Sequence, residues 1–147
     1  MNILVSHCLL GEPCRYDGAS RLDRQVIELH RAGHNLIPVC PEVLGGLEVP
    51  RSPAELQPDG RVLTREGEDV TAAYRAGAER AVAIAREKGC TVAVLKARSP
   101  SCGCGEVYDG TFTRTLTPGW GVAARLLADA GIEVMDEEHL QASLYGL

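Results

Sequence analysis

Five of the six cysteines in this 147-residue chain stand in three loop-like segments: "SHCLLGEPCRYDG" with Cys8 and Cys14, "VCPEVLGGLEVPR" with Cys40, and "SPSCGCGEVYDG" with Cys102 and Cys104. Segments rich in Ser, Pro and Gly form turns and not packed cores, so these thiols are placed to react or to coordinate. The start of the chain shows no basic leader, no long apolar run and no small-residue cleavage site, which sets the expectation of a cytoplasmic protein. In that compartment disulfides are rare, and clustered cysteines more often hold a metal or do chemistry. Soft thiolates favour zinc or an iron-sulfur cluster over magnesium or calcium, which prefer oxygen donors. Structural zinc is commonly closed by paired ligands such as C-x-x-C, and the sequence has no such pair. If Cys8, Cys40 and Cys102 form one set, a fourth ligand could come from Cys14, Cys104 or His7. Without one, a coordination position stays open for water or substrate.

These loops act together only if the fold brings them to one place. Asn2–Ser6 ("NILVS") reads as an apolar strand that ends in the first cysteine loop. A helix is predicted over 21–32, with Leu22, Val26 and Leu29 on one face and Gly33 ending it. Asn35–Val39 reads as a second strand, placed at a sheet edge because Pro38 has no amide to donate. A brief extra strand is predicted over 61–64, after the turn "PDG". Over 70–88, Ala73, Tyr74, Gly77, Ala78, Ala81 and Ala85 recur at spacings of three and four, predicting a helix with Asp69 as N-cap and Gly89 past its end. The run "TVAVLKA" over 91–97 has the nearly continuous apolar pattern of a strand covered on both faces. A small-residue helix over 121–130, a strand over 132–135 and a short closing helix over 137–145 complete the chain.

This alternation predicts an α/β fold, three-layer and Rossmann-like, with a mainly parallel four-stranded sheet in the order 2-1-3-4. Ligands of such sheets sit beyond the carboxyl ends of the strands, where the order reverses. Here that crevice lies between the first and third strands of the sheet. Cys8, Cys40 and Cys102 follow its first, second and third strands, so all three are expected on that rim.

Bulk properties narrow the function. With 45% hydrophobic residues, the chain suits a single domain over 1–147. A net charge of -5 and a pI near 5.4 argue against sequence-independent nucleic-acid binding, leaving room for a small basic patch at most. No stretch is long enough to span a membrane. Cys90, between a helix end and a buried strand, reads as a small core residue. His30 and His34 are expected to face solvent or cap carbonyls, and His139 to be exposed.

The segments "CLLGEPCRYDG", "VCPEVLGGLEVPR", "EGEDVT" and "SPSCGCGEVYDGTF" resemble, in that order, the signatures of a bacterial family that includes thiouracil desulfidases. The resemblance covers nearly the whole chain. It implies a 4Fe-4S cluster held by three cysteines, here Cys8, Cys40 and Cys102, and non-redox removal of sulfur from a thiouracil-type base, releasing sulfide. Cys14 and Cys104 stand where the family need not have cysteine, which leaves their roles open.

The implied chemistry is physically coherent. A soft thiocarbonyl sulfur would bind the fourth iron, a Lewis acid that makes the attached carbon electrophilic toward water. Glu42, two residues beyond Cys40, would take the proton of that water and return it. Its alternative is a helix-start carboxylate satisfying free amides after Pro41. Ser99 and Ser101 would donate to substrate or to a cluster sulfur, or else form the turn around Pro100. Lys96 and Arg15 are further candidates for holding a carbonyl or phosphate. With one Trp, few other aromatics and no basic stripe, the chain is expected to take a small thiolated base, nucleoside or nucleotide and not folded RNA. Three alternatives share the cysteines: a tRNA thio-modification enzyme, an iron-sulfur sensor and a structural zinc protein. The first would carry nucleotide-activating segments, yet no G-x-x-x-x-G-K-[ST] loop occurs.

Overall fold

In the computed structural model, which describes residues 1–146, the first apolar run forms β1 (Asn2–Ser6), and α1 (Arg24–Arg31) connects it to β2 (Asn35–Val39). A short helix, α2 (Pro41–Leu44), follows at once, then two short strands, β3 (Ala54–Leu56) and β4 (Val62–Thr64). The long α3 (Thr71–Glu87) leads to β5 (Val92–Leu95). A hairpin of β6 (Cys104–Tyr108) and β7 (Leu116–Trp120) precedes α4 (Val122–Asp129) and β8 (Glu133–Asp136).

β1, β2, β5 and β8 form one sheet, parallel throughout, in the order β2-β1-β5-β8 expected from the sequence. In register, Leu4 sits between Ile37 of β2 and Ala93 of β5, and Ala93 faces Val134 of β8. Both faces of the sheet are apolar. Ile3, Val5, Val92 and Val94 pack on Val26 and Leu29 of α1 and on Leu144. The alternate residues Leu4, Ala93 and Leu95 pack on Ala85 of α3 and on Ala124 and Leu127 of α4. Two helical layers therefore enclose the sheet, and each fully buried Leu, Ile or Val contributes about 1.5–3 kcal/mol. Pro38 opposes Val5 on the edge strand β2, where a missing amide is tolerated.

Several boundaries differ from the sequence expectations. α1 begins at Arg24 because the Asp23 side chain accepts the Val26 amide at 3.1 Å and caps it. Leu22 is left outside the helix, 59% exposed. Asp69 lies one residue before the N-cap of α3, where its Oδ1 accepts from the amide and hydroxyl of Thr71 at 2.9 and 2.6 Å. The closing helix over 137–145 does not form. Asp136 Oδ1 takes the Glu138 amide at 2.9 Å and the His139 ring at 2.7 Å, a local alternative to helical bonds, and only a single 3-10 turn, Ala142–Tyr145, follows. The expected strand over 61–64 is β4, paired antiparallel with β3. Cys90 is buried, His30 and His139 are exposed, and the His34 ring bonds the Leu144 carbonyl at 2.6 Å. No helix among the described residues is long and apolar enough to cross a membrane.

Candidate active site at the switch point of the sheet

The chain leaves β1 toward one edge of the sheet and β5 toward the other, which opens a crevice beyond their carboxyl ends. A cavity of about 430 Å³ lies there, and Cys8, Cys14, Cys40, Cys102 and Glu42 all line it. Its size suits a small-molecule site. Each thiol is delivered by a different local device. After β1, a 3-10 turn, His7–Leu10, folds Cys8 inward and is closed by Gly11 at φ 99°, a conformation that favours glycine. Cys40 is the N-cap of α2, with Pro41 at the first helical position. Around Cys102, Ser99 Oγ accepts the amides of Ser101 and Cys102 at 3.1 and 3.0 Å. Ser6 ties this loop to β1, donating to Cys102 Sγ at 3.3 Å and accepting the Lys96 amide at 2.9 Å.

Burial favours the protonated thiol at Cys14, Cys40 and Cys102. Burial pushes Cys102 up to about 12, partly offset by the Ser6 hydroxyl. Cys40 is raised by its hydrogen bond to the Cys14 thiol and by burial. The Cys40 bond alone would lower Cys14, but its bond to Cys8 together with burial outweighs that and carries it to about 11. Binding a soft cation here therefore requires release of protons.

Glu42 is held at one oxygen. Its Oε1 accepts from the Tyr74 hydroxyl at 2.7 Å and from Arg51 Nε at 3.0 Å, with side-chain exposures of 15% for Glu42 and 9% for Arg51. Arg51 also donates to the carbonyls of Glu48 and Cys14, both at 3.0 Å, so one guanidinium links the carboxylate to two loops. Burial, then the charge of Glu42, raises Tyr74 and keeps it a donor. Glu42 stands in the first turn of α2, and among the described residues its carboxylate accepts no hydrogen bond from a backbone amide.

This placement depends on two glycines. A Cβ on Gly77 of α3 would lie 1.8 Å from the Pro41 carbonyl oxygen, and one on Gly45 would lie 2.0 Å from that of Ala73. α2, with Cys40 at its start and Glu42 in its first turn, thus rests backbone to backbone on α3. Gly77→Ala is expected to push α2 off α3, costing about 1–3 kcal/mol as overpacking does. Thermal unfolding would show the loss, and faster labelling of Cys40 by a thiol reagent in the folded state would show the displacement.

The remaining sequence candidates separate. Ser99 lines the cavity. Ser101 is fully buried beneath it, its carbonyl accepting the Ala123 and Ala124 amides at 2.9 and 3.1 Å while its hydroxyl has no partner. Lys96 lines the cavity but is paired with Glu137 at 2.9 Å. Arg15 Nη1 is buried without a partner, and its guanidinium lies 5.9 Å from the Tyr16 ring centroid. Cys104 faces away, into a separate pocket, with Sγ 3.8 Å from Asp136 Oδ2, and burial raises it to about 11. His7 is on the cavity rim, 3.9 Å from Glu12.

Of the cations on the cavity, sequence inspection singles out Arg15 and Lys96 and misses the rest. Arg51 and Arg98 meet Glu42 and Glu138, whereas Arg15, Arg21, Arg65 and Arg114 line the cavity with no carboxylate partner among the described residues. They come from three segments, the loop before α1 with Arg15 and Arg21, the turn after β4 with Arg65 and the β6–β7 turn with Arg114, so no basic run announces them. Arg98, Phe112 and Arg114, at φ 66°, 58° and 59°, are the only non-glycine residues with positive φ among those described, and all three line the cavity. Such backbone strain tends to cluster at functional sites.

Soft donors and a carboxylate gathered at the switch point of a parallel sheet define an α/β protein built to bind and transform a small ligand there. Its family is also clear: the chain belongs to the 2-thiouracil desulfurase family, whose model matches residues 3–139. It is 41% identical over 150 residues to the uncharacterized protein YbbK of Bacillus subtilis, covering 94% of this chain and 97% of that one. Among solved structures it is similar to the [4Fe-4S]-dependent thiouracil desulfidase TudS, with a TM-score of 0.88 and 43% identity over 95% of this chain and 92% of that one.

Proposed function

We propose that residues 1–147 form one desulfidase domain that removes sulfur from a small thiouracil-type base, nucleoside or nucleotide and releases sulfide, with no net redox change. The observation that carries this reading is the meeting of Cys8, Cys40 and Cys102, from three distant loops, with Glu42 on one cavity wall. The donor set suits an iron-sulfur cluster because it is all thiol, and thiolates are the usual ligands of such clusters. The orphaned Ser101 hydroxyl, next in sequence to Cys102, and the orphaned Arg15 Nη1 point to missing polar partners at the site. A [4Fe-4S] cluster on Cys8, Cys40 and Cys102 would supply, at its fourth iron, a soft Lewis acid for a thiocarbonyl sulfur.

The protein's own residues supply the rest. Glu42, with Oε1 engaged, has Oε2 to take a proton from water and later return it to the departing group. Arg51 and Tyr74 hold that carboxylate in place. Ser99 accepts two amides and retains its own proton to donate into the cavity. Ser101 offers its unpaired hydroxyl beside Cys102.

The four unpaired arginines favour an anionic substrate, so a thiouridine monophosphate should be preferred to free thiouracil. Charge-assisted hydrogen bonds contribute about 1.5–3 kcal/mol, so Arg15→Met should raise KM for the nucleotide about tenfold or more and leave KM for the free base little changed. Anaerobic purification with iron and sulfide analysis tests the main reading. It is followed by incubation with thiouracil, its nucleoside, its nucleotide and a thiolated transfer RNA, monitoring thiocarbonyl absorbance and sulfide. Iron with turnover of the small substrates is expected. A zinc-only protein, or turnover of the transfer RNA alone, would overturn it.

A further inference from the structure

The cavity holds one thiol more than this function uses. Cys14 is 7% exposed, lines the cavity with Cys8, Cys40 and Cys102, and packs in one cluster with Cys8 and Cys40. Its backbone is fixed: the carbonyl accepts Arg51 Nη2 at 3.0 Å and faces Cys40 Sγ at 3.7 Å. The two other donors that could complete a four-ligand set are not comparable, since Cys104 points into a different pocket and His7 sits beside Glu12. We propose that Cys14 is a displaceable fourth thiolate, bound to the fourth iron while the site holds no substrate and replaced there by the substrate's sulfur.

This assignment rests on the iron-sulfur function above and deepens it. Four thiolates are the ordinary shell of a [4Fe-4S] cluster, so a fourth cysteine within reach closes a position that three leave open. Because Arg51 anchors the backbone, the exchange needs only rotation of the Cys14 side chain. No electrons move. The Cys14 thiol releases its proton to solvent on binding and takes one back from solvent when a thiocarbonyl sulfur displaces it. Between turnovers, the iron most easily lost to oxidation is covered.

The test compares wild type with Cys14→Ala, both reconstituted anaerobically with iron and sulfide and treated with limited ferricyanide. Electron paramagnetic resonance follows the formation of [3Fe-4S]. Cys14→Ala should keep the full iron content, then lose one iron per cluster under oxidant. Wild type should resist the same treatment until 2-thiouracil is added, and then behave like the variant. Equal [3Fe-4S] formation in the two proteins without substrate would overturn the assignment of Cys14 and leave the iron-sulfur function standing. A Cys14→Ala protein that folds, by circular dichroism, but takes up no iron would also overturn it, because Cys14 would then be an obligatory ligand. If neither protein takes up iron, the function itself fails and the assignment falls with it. Should the variant not fold, the wild-type arm still decides: resistance that 2-thiouracil does not abolish refutes displacement.

Discussion

Cys8→Ser, Cys40→Ser and Cys102→Ser are each expected to abolish the iron content and brown absorbance of the anaerobically reconstituted protein, whereas Cys90→Ser keeps both. Each of the three thiols reaches the cavity on its own device: the turn after β1, the start of α2, and the Ser99 loop after β5. A serine hydroxyl is a much harder donor than thiolate, and Cys14, the other thiol of the first loop, is assigned to the fourth iron and not to the position of Cys8. Cys90 packs with Ala85 and Ile132 in the layer under α3 and α4, remote from this chemistry, so its replacement affects only packing. Cys8 and Cys102 are themselves buried, and loss of iron must be separated from loss of fold. Circular dichroism of the ligand-free variants, compared with ligand-free wild type, makes that separation. A full cluster in folded Cys8→Ser would exclude Cys8 as an obligatory ligand.

The strand order was legible because it depends on patterns that survive without tertiary information. Pro38 marked an edge, the run through Val92–Leu95 marked a strand covered on both faces, and right-handed connections left one order for the sheet. The convergence of Cys8, Cys40 and Cys102 followed from that order. What stayed hidden was set by contacts between distant segments. α2 is a four-residue helix whose position is decided by Gly45 meeting Ala73 and Gly77 meeting Pro41, and no local periodicity shows such a contact. Gly77 was visible only as a small residue in a helical stripe. The partner of Glu42 was also hidden: Arg51 is nine residues further on, beyond an irregular segment, and Tyr74 looked like an ordinary core residue. The closing helix failed for a local reason, because Asp136 bonds its own downstream backbone and the His139 ring more readily than it starts a helix.

The basic lining carries a similar lesson about charge. A chain of net charge -5 concentrates four unpaired arginines on one cavity. Overall acidity disfavours a long phosphate backbone, yet a local field of this kind attracts a single small anion and speeds its entry. The two properties together underlie the nucleotide preference proposed above, which neither would suggest alone.

Glu42→Gln should leave fold and iron intact and slow desulfuration by about 10²–10⁴, the usual loss when a general acid-base group is removed. The substitution preserves shape: the amide oxygen can still accept from Tyr74 and Arg51, so α2 and the Cys14 loop should stay in place. It removes the charge that takes up a proton, and it removes the counter-charge of a nearly buried Arg51. The second effect lowers stability, since a buried cation left without its partner is costly. The two consequences are separable. Tyr74→Phe strips one hydrogen bond from Oε1 but leaves the carboxyl group and its Arg51 partner in place, and it should cost far less activity than Glu42→Gln. Glu42→Asp keeps the charge on a shorter arm and should recover part of the rate. If Glu42→Gln turned over substrate at the wild-type rate while unfolding at a lower temperature, Glu42 would be the structural counter-ion of Arg51 and the proton would have to travel through another group on the cavity wall.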